Sequence, residues 1–293
     1  VTTAVVIDGE LVGAGQAKVS VFDRGFLYGD SVFETVRTYG GRPFALGEHL
    51  RRLKASADKV FIALPLALEA LEAEVERAIA KAGNAESYIR IMLTRGQGSL
   101  GLDPTLADVP LRVILVQPLS VLPASLYETG AAAVSYKTLR PADATLAEGA
   151  KIGNYLVAVL GTRLARQAGA HEALILDAEE RVVEGASSNL FYVREGGLYT
   201  PPVRAGILAG ITRERTLRAA EALSLSVHFE LPKLHELLAA DEVFISSSIR
   251  ELLPIVRIDS EPIGDGQPGR LTRLLHAEFK RVVEREMALA VVA

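Results

Sequence analysis

Hydrophobic residues recur along the chain with two different periods. Leu68, Leu71, Val75, Ile79 and Ala82 fall three or four positions apart, and Leu271, Leu274, Leu275, Phe279, Val282 and Val283 repeat that spacing near the end of the sequence. Side chains so spaced line one side of a helix, so both stretches are predicted to be amphipathic helices with one buried stripe. Residues 32–39, then Gly40-Gly41, then residues 42–46 read as two strands joined by a tight turn. Further strand-like runs are "SYIRIMLTR", "LRVILVQP", "EALILD", "NLFYV" and "EVFIS". Helix-like runs separate some of them, but strand and helix do not alternate regularly, which predicts a mixed α+β architecture.

After "LRVILVQP" the periodicity lapses in "LSVLPASLYETG", and Pro123 interrupts it. That break predicts a linker at residues 119–125, between an N-terminal domain of residues 1–118 and a C-terminal domain of residues 126–293. With 293 residues, 49% of them hydrophobic and 23% charged, the chain has enough apolar material for two cores.

Charge narrows the partners. The formal net charge is -4, and lysine and arginine are scattered among acidic residues, so no basic face is expected and nucleic acid is not a predicted partner. There is no cysteine, which removes disulfides, zinc-thiolate sites and thiol catalysis, and no metal site is expected. The opening "VTTAVVIDGELV" has no basic segment followed by a long apolar stretch, and no run of about 18 apolar residues occurs, so the sequence reads as a soluble cytoplasmic protein without a membrane partner.

Residues 96–101, "GQGSLG", match the G-x-G-x-x-G pattern of dinucleotide sites and follow a strand. The context is wrong for that role. The last glycine should open a helix facing a pyrophosphate, whereas "LDPTLADVP" follows, with Pro104 and Pro110 breaking any helix. The stretch reads as a glycine-rich loop at a pocket mouth.

In "EGAKIGNYLVAV", residues 148–159, Lys151 stands before Ile152, Gly153, Asn154 and Tyr155 and an apolar, helix-like run. A solvated lysine keeps polar company, so this one is expected to point into a pocket. A partly desolvated lysine amine can form a Schiff base with a carbonyl, as with pyridoxal phosphate. Such a cofactor also needs an anion site for its phosphate, a carboxylate for its pyridine nitrogen and an apolar wall for its ring. Glu184 in "RVVEGASSNLFYV" ends an apolar run and is followed by small residues that leave room for a ligand. In "GILAGITRERTLRAAEAL", Gly210, Ile211 and Thr212 lead into a helix, with Thr212 the expected N-cap and free N–H groups available to an anion. "EVFISSSIRELLP" adds a strand ending in Ser246, Ser247 and Ser248. Arg51 or Arg52 in "HLRRLKASA" supplies a fixed positive charge, and spacing does not choose between them.

In this order the blocks "DRGFLYGDSVFETVR", "EHLRRL", "YIRIMLTRG", "KIGNYL", "EGASSNLF", "GITRERT" and "EVFISSSIRELLP" resemble the fold-type IV pyridoxal-phosphate enzymes over nearly the whole chain. The resemblance implies two domains, a smaller N-terminal α/β domain and a larger C-terminal pseudo-barrel that binds pyridoxal 5'-phosphate. It implies that Lys151 forms the Schiff base and moves the proton between the substrate α-carbon and the cofactor. Glu184 would pair with the pyridine nitrogen, Leu208 would pack on the ring, and Arg52, the N–H groups of Ile211 and Thr212, and Ser248 would hold the phosphate. Arg52 is preferred because it matches the family's arginine before leucine. The substrate pocket would come from Tyr28, Phe33, Tyr88, Arg90 and Ile249.

The same resemblance implies an amino donor and a 2-oxo acid acceptor as partners, in a homodimer or a larger even-numbered oligomer. "YIR" resembles the branched-chain aminotransferases, and "TRGQGSLGLDP" lacks the arginine and histidine of the better-known D-amino-acid enzymes, which favours a branched-chain L-amino acid. Two alternatives stay open. Asn154-Tyr155 follow Lys151 one residue sooner than in many branched-chain enzymes, and Thr35 occurs in aminodeoxychorismate lyases, although Leu100 stands where those lyases often place an arginine. The third possibility is a D-amino-acid or R-amine transaminase.

Overall fold

The computed structural model describes residues 2–138 and 147–289. The chain divides into two compact units, one of Val1–Ser120 with Thr145–Tyr155 and one of Val121–Ala144 with Leu156–Ala293.

The first unit holds strands β1 (Ala4–Ile7), β2 (Glu10–Val12), β3 (Ser31–Tyr39), β4 (Arg42–Pro43), β5 (Ser87–Thr94) and β6 (Leu111–Pro118), and helices α1 (Arg24–Tyr28), α2 (Leu46–Lys59) and α3 (Leu68–Ala82). The strands form an antiparallel sheet in the order β2-β1-β6-β5-β3-β4. Alternation gives the sheet two unlike faces. Ala4, Val6, Val32, Val36, Ile89, Ile91, Leu93, Ile114 and Val116 are buried in one core with Leu50 and Leu53 of α2 and Leu71 and Val75 of α3. The opposite face carries Phe33, Thr35 and Arg37 of β3 beside Met92, Arg90 and Tyr88 of β5, each pair directly across the ladder.

The predicted hairpin forms, but its second strand stops at Pro43. Ala45 takes a left-handed conformation (φ 52°), and Leu46 starts α2, where it joins Leu50, Leu53 and Ala57 on the buried stripe. Burial of that stripe outweighs three more residues of edge strand. Helix α3 spans Leu68–Ala82, the residues its periodicity predicts.

Lys151 belongs to this first unit, whereas a single break at residues 119–125 assigns it to the C-terminal one. The cause is backbone pairing: the Phe33 N–H donates to the Lys151 carbonyl (3.0 Å), and the Gly153 N–H donates to the Ser31 carbonyl (2.7 Å), so that Ile152 bridges Val32 beside β3. A Cβ at Gly153 would collide with Ser31 Oγ, which is why this close approach requires glycine.

The second unit contains helices α4 (Ser125–Thr129), α5 (Leu156–Gln167), α6 (Ile211–Ala222), α7 (Leu234–Leu238) and α8 (Arg270–Leu289). Its strands are β7 (Ala131–Lys137), β8 (Glu172–Leu176), β9 (Val182–Gly185), β10 (Asn189–Arg194), β11 (Gly197–Thr200), β12 (Val227–Phe229), β13 (Glu242–Ser247), β14 (Glu251–Ile258) and β15 (Glu261–Pro262). Among the described residues these form one mixed sheet in the order β12-β11-β10-β13-β14-β7-β8-β9, with β15 on β14. Leu174, Leu190, Tyr192, Val243, Ile245, Leu253 and Ile255 fill its core with Leu237 of α7. Strand β14 escapes the sequence pattern because Pro254 interrupts it. Its parallel pairing with β7 starts at Ile255, one residue beyond the proline. In α8, Leu275, Phe279, Val282 and Val283 are buried as predicted, whereas Leu274 is exposed and Thr272 and Met287 complete the stripe. Both units mix helix and sheet, as the α+β expectation requires.

Candidate active site

In the first unit, the main chain of Lys151 is fixed on two sides. Its N–H donates to Ser56 Oγ of α2 (3.1 Å) and its carbonyl accepts from Phe33. The side chain then runs to an aromatic pair. Nζ donates to Tyr155 Oη (3.2 Å) and lies 4.7 Å from the centre of the Phe33 ring, which meets the Tyr155 ring edge-on at 4.8 Å. The Arg90 guanidinium stands 3.9 Å from the same Phe33 centroid. An amine and a guanidinium thus share one aromatic ring, a stacking suited to both cations. Tyr88 lies on the same sheet face, opposite Arg37.

Arg52 is partly buried and Arg51 is exposed, which separates the two arginines that spacing left equivalent. Arg52 is forked onto Glu34, with Nε donating to Oε1 and Nη2 to Oε2, both at 2.7 Å. Glu34 is fully buried on the core face of β3, where His49 Nδ1 approaches Oε2 at 2.7 Å. Burial alone would raise the Glu34 carboxyl, but the hydrogen bonds and charge of Arg52, with the His49 bond, outweigh it and lower the pKa to about 2. Burial pushes His49 below its usual range; hydrogen bonding to Glu34 opposes that push, and the charges of Arg52 and Lys151 add to it. His49 is therefore the neutral partner of an ionised carboxylate, and since that carboxylate only accepts, Nδ1 carries the proton.

Both groups bind protons more readily in the unfolded chain, so stability rises with pH across both windows. The Glu34 contribution is complete above about pH 4.5 and is lost as pH falls toward about 2, while the His49 penalty grows as pH falls below 6.5. Glu34→Gln is expected to cost about 3 kcal/mol at neutral pH by leaving Arg52 without its counter-charge. It should also flatten the stability profile between pH 4.5 and 2. Urea melts across that range check both, and an unchanged slope would remove Glu34 from this role.

In the second unit, Glu184 on β9 accepts from the Leu208 N–H (3.2 Å), and Asn189 Nδ2 donates to the Leu208 carbonyl (2.8 Å). Leu208 is thus held by both ends of its own residue, beside the carboxylate expected to work with it. Helix α6 follows, and its N-cap is Gly210, not Thr212, because Gly210 is the last extended residue (φ -70°, ψ 135°) and Thr212 is already helical. No side chain caps this helix, so the first N–H groups, those of Ile211 and Thr212 among them, keep their anion-binding capacity. A Cβ at Gly210 would collide with Asn189 Oδ1. Ser246, directly across the ladder from Asn189, is 1% exposed, and its Oγ lacks a hydrogen-bond partner among the described residues. Ser248 and Ile249 sit in the turn between β13 and β14, half-buried.

Tyr28 is the last residue of α1. Its Oη accepts from the Gly101 N–H (3.2 Å), and Arg24 stacks on its ring while donating to the Gly101 and Leu102 carbonyls. Tyr28 and Arg24 together hold the glycine-rich loop. Sequence reasoning assigned no role to Tyr155, Glu34, His49 or Asn189, and offered Ser246 only together with Ser247 and Ser248. Only Glu34 left a signal, as a lone carboxylate on the apolar parity of its strand.

The profile of the amino-transferase class IV family matches residues 31–258. A putative branched-chain-amino-acid aminotransferase of Methanocaldococcus jannaschii is 39% identical over 278 residues, covering 95% of this chain and 96% of that protein. A D-alanine aminotransferase of Staphylococcus haemolyticus is 33% identical, covering 96% and 98%. In structure, the branched-chain amino acid aminotransferase of Escherichia coli superposes with a TM-score of 0.90 at 31% identity, over 96% of this chain and 95% of that one. Similar structures include branched-chain aminotransferases holding pyridoxamine 5'-phosphate and N-(5'-phosphopyridoxyl)-L-glutamate.

Proposed function

We propose that this chain, which belongs to the amino-transferase class IV family and is a pyridoxal-phosphate-dependent aminotransferase, moves the amino group of a branched-chain L-amino acid to a 2-oxo acid in two half-reactions. The observation that carries the reading is the Phe33 ring, which brings the Lys151 amine and the Arg90 guanidinium to 4.7 and 3.9 Å of one centroid. One cation is a nucleophile and base, and the other binds a carboxylate.

The residues fit the cofactor. Glu184 stands beside the apolar Leu208, Gly210 keeps the approach to α6 open, and among the described residues no side chain caps that helix and the buried Ser246 hydroxyl lacks a partner. When bound, pyridoxal phosphate supplies an aldehyde for an amine and a conjugated ring that accepts an electron pair. The chain does the rest. Lys151 Nζ would carry the proton between the substrate α-carbon and the aldehyde carbon of the cofactor, and Tyr155 Oη orients that nitrogen. Glu184 holds a proton on the ring nitrogen. In the second unit the N–H groups of Ile211 and Thr212 and the Ser248 hydroxyl are assigned to the phosphate, and in the first unit Arg52 is given the same role. In the first unit, Arg90 and Tyr88 receive a substrate carboxylate while Phe33 and Tyr28 meet its apolar part; in the second, Ile249 is assigned to the substrate as well.

A D-amino-acid substrate is the second reading, favoured by the D-alanine aminotransferase relative at 33% identity. The two are separated by adding L-leucine, D-alanine, R-1-phenylethylamine and aminodeoxychorismate singly to the holoenzyme without an acceptor. L-leucine is expected to bleach the visible cofactor band. Bleaching by D-alanine or the amine alone would move the enzyme to that subclass. Pyruvate released from aminodeoxychorismate with the band intact would make it a lyase.

We also assign a homodimer or larger even-numbered assembly in the cytoplasm, where amino and 2-oxo acids are exchanged. Support comes from apolar side chains left open on each unit: Phe26, Leu100, Leu102 and Val109 on the first, and Leu156, Val157, Val159 and Leu160 of α5 on the second. Among the described residues, no helix is long and apolar enough to cross a membrane.

A further inference from the structure

The turn bearing Ser248 and Ile249 is tied down by residues that have no part in the assignments above. Ser247 pairs with Glu251 across β13 and β14, leaving Ser248, Ile249 and Arg250 to close the hairpin. Arg250 reaches back over it. Its backbone N–H and Nε both donate to Ser247 Oγ (3.3 and 3.2 Å). Its Nη2 donates to Glu172 Oε2 (2.7 Å), to Ser187 Oγ (2.9 Å) and to the Ser187 carbonyl (3.3 Å). Glu172, 2% exposed on β8, also accepts from Ser188 Oγ (2.7 Å) and from the Ala173 N–H (2.9 Å). A buried carboxylate thus receives one guanidinium, one hydroxyl and one amide, a satisfied network whose members fix one another.

The other side of the turn is equally constrained. The Arg250 carbonyl accepts from Tyr127 Oη (2.9 Å), the Tyr127 ring stacks on His276, and His276 Nε2 lies 2.8 Å from Glu251 Oε2. Glu251 itself is left-handed (φ 53°), a conformation that a non-glycine residue keeps only where its surroundings impose it.

We propose that Arg250 is a positioning residue: anchored on Glu172 and Ser187, it sets the height and orientation of the turn so that Ser248 meets the cofactor phosphate and Ile249 the substrate. The inference rests on the phosphate role given to Ser248. Arg250 also joins this turn to the Ser187-Ser188 segment that follows Glu184 and Gly185, so one guanidinium sets two ligand-facing loops of the second unit relative to each other. A lysine at this position has no planar fork to divide among Ser247, Glu172 and Ser187.

The test compares two probes on apoenzyme prepared from the full chain: pyridoxal phosphate, and pyridoxal, which lacks the phosphate. Affinities are read from the visible absorbance of the bound ligand. Arg250→Met is expected to weaken pyridoxal phosphate by about tenfold and pyridoxal by about twofold at most. Arg250→Lys should recover only part of the loss, and Ser248→Ala should lower the same ratio of affinities. Should Ser248→Ala leave the ratio unchanged, the phosphate role of Ser248 fails, and with it the route from Arg250. Where Ser248→Ala lowers the ratio and Arg250→Met does not, or where Arg250→Met weakens both probes equally, the positioning role is overturned and Arg250 is structural only. If Arg250→Met does not fold, because Glu172 is left as a buried unpaired charge, the same ratio is read in Glu172→Gln/Arg250→Met and in Tyr127→Phe, which removes the hydrogen bond to the Arg250 carbonyl and keeps the ring. A lowered ratio in either supports the role, and an unchanged ratio in both ends it.

Discussion

Replacing Lys151 by alanine is expected to reduce transamination by about four orders of magnitude or more, the scale set by losing a positioned base together with the covalent attachment of the cofactor. The fold should survive. The contacts that bind residue 151 to the first unit, its N–H to Ser56 Oγ and its carbonyl from Phe33, belong to the main chain and are unaffected by truncation. The side chain donates to Tyr155 and lies over the Phe33 and Tyr155 rings at a partly buried position, so the melting temperature is expected to shift by only a few degrees, about the effect of 1 kcal/mol. Lys151→Arg separates charge from chemistry, since it keeps the cation over Phe33 but has no amine able to attack a carbonyl, and it should be as inactive as the alanine variant. Steady-state turnover with a thermal melt is the measurement. Turnover near the wild-type rate in either variant would exclude Lys151 as the reacting group.

Glu184→Gln has the next largest expected effect, a fall in kcat of about 10²–10³-fold, comparable with the loss of one preorganised electrostatic partner. Glutamine preserves the shape and can still accept from the Leu208 N–H, so the local main chain should remain in place. Under the role proposed for Glu184, what would disappear is the negative charge that keeps a proton on the ring nitrogen, and with it the capacity of the ring to accept electrons from the substrate α-carbon. The loss should appear in the rate of α-proton exchange with solvent and far less in cofactor affinity. Unchanged exchange in Glu184→Gln would dismiss the role, and a parallel collapse of affinity would mean that Glu184 mainly holds Leu208 in position.

The sequence made some of these features legible and hid others for identifiable reasons. Period alone located α3, α8 and the central strands of both sheets, because each buries one face or both. Helix α2 was masked because His49 and Ser56 share its buried stripe, and a stripe with polar members does not read as apolar. Strand β14 was masked by Pro254. Lys151 and Glu184 stood out since each is a charge set against apolar or small neighbours. Tyr155 did not, because its contact with Lys151 depends on an extended segment whose path is set by β3. The membership of Lys151 in the first unit has the same origin, since pairing between residues more than a hundred positions apart leaves no local pattern. Arg250 is the clearest case: it finds Glu172 78 residues away, a meeting that no spacing rule announces. Thr212 was mistaken for the N-cap because threonine favours that position in general, whereas the close approach of Asn189 reserves it for glycine.

Strand β3 carries a consequence for how such an enzyme changes its diet. Its even-numbered side chains, Val32, Glu34, Val36 and Thr38, are all buried, and one of them anchors Arg52. Its odd-numbered side chains, Phe33, Thr35 and Arg37, face the other way, with Phe33 shared by Lys151 and Arg90. Two neighbouring codons therefore answer to different demands, one to the hold on Arg52 and the next to the ring shared by Lys151 and Arg90. Under the roles proposed for Phe33 and Arg52, substitutions on the odd-numbered face are expected to alter the donor accepted and those on the even-numbered face to loosen the fold, so parity along a single strand separates variation in taste from damage to the engine.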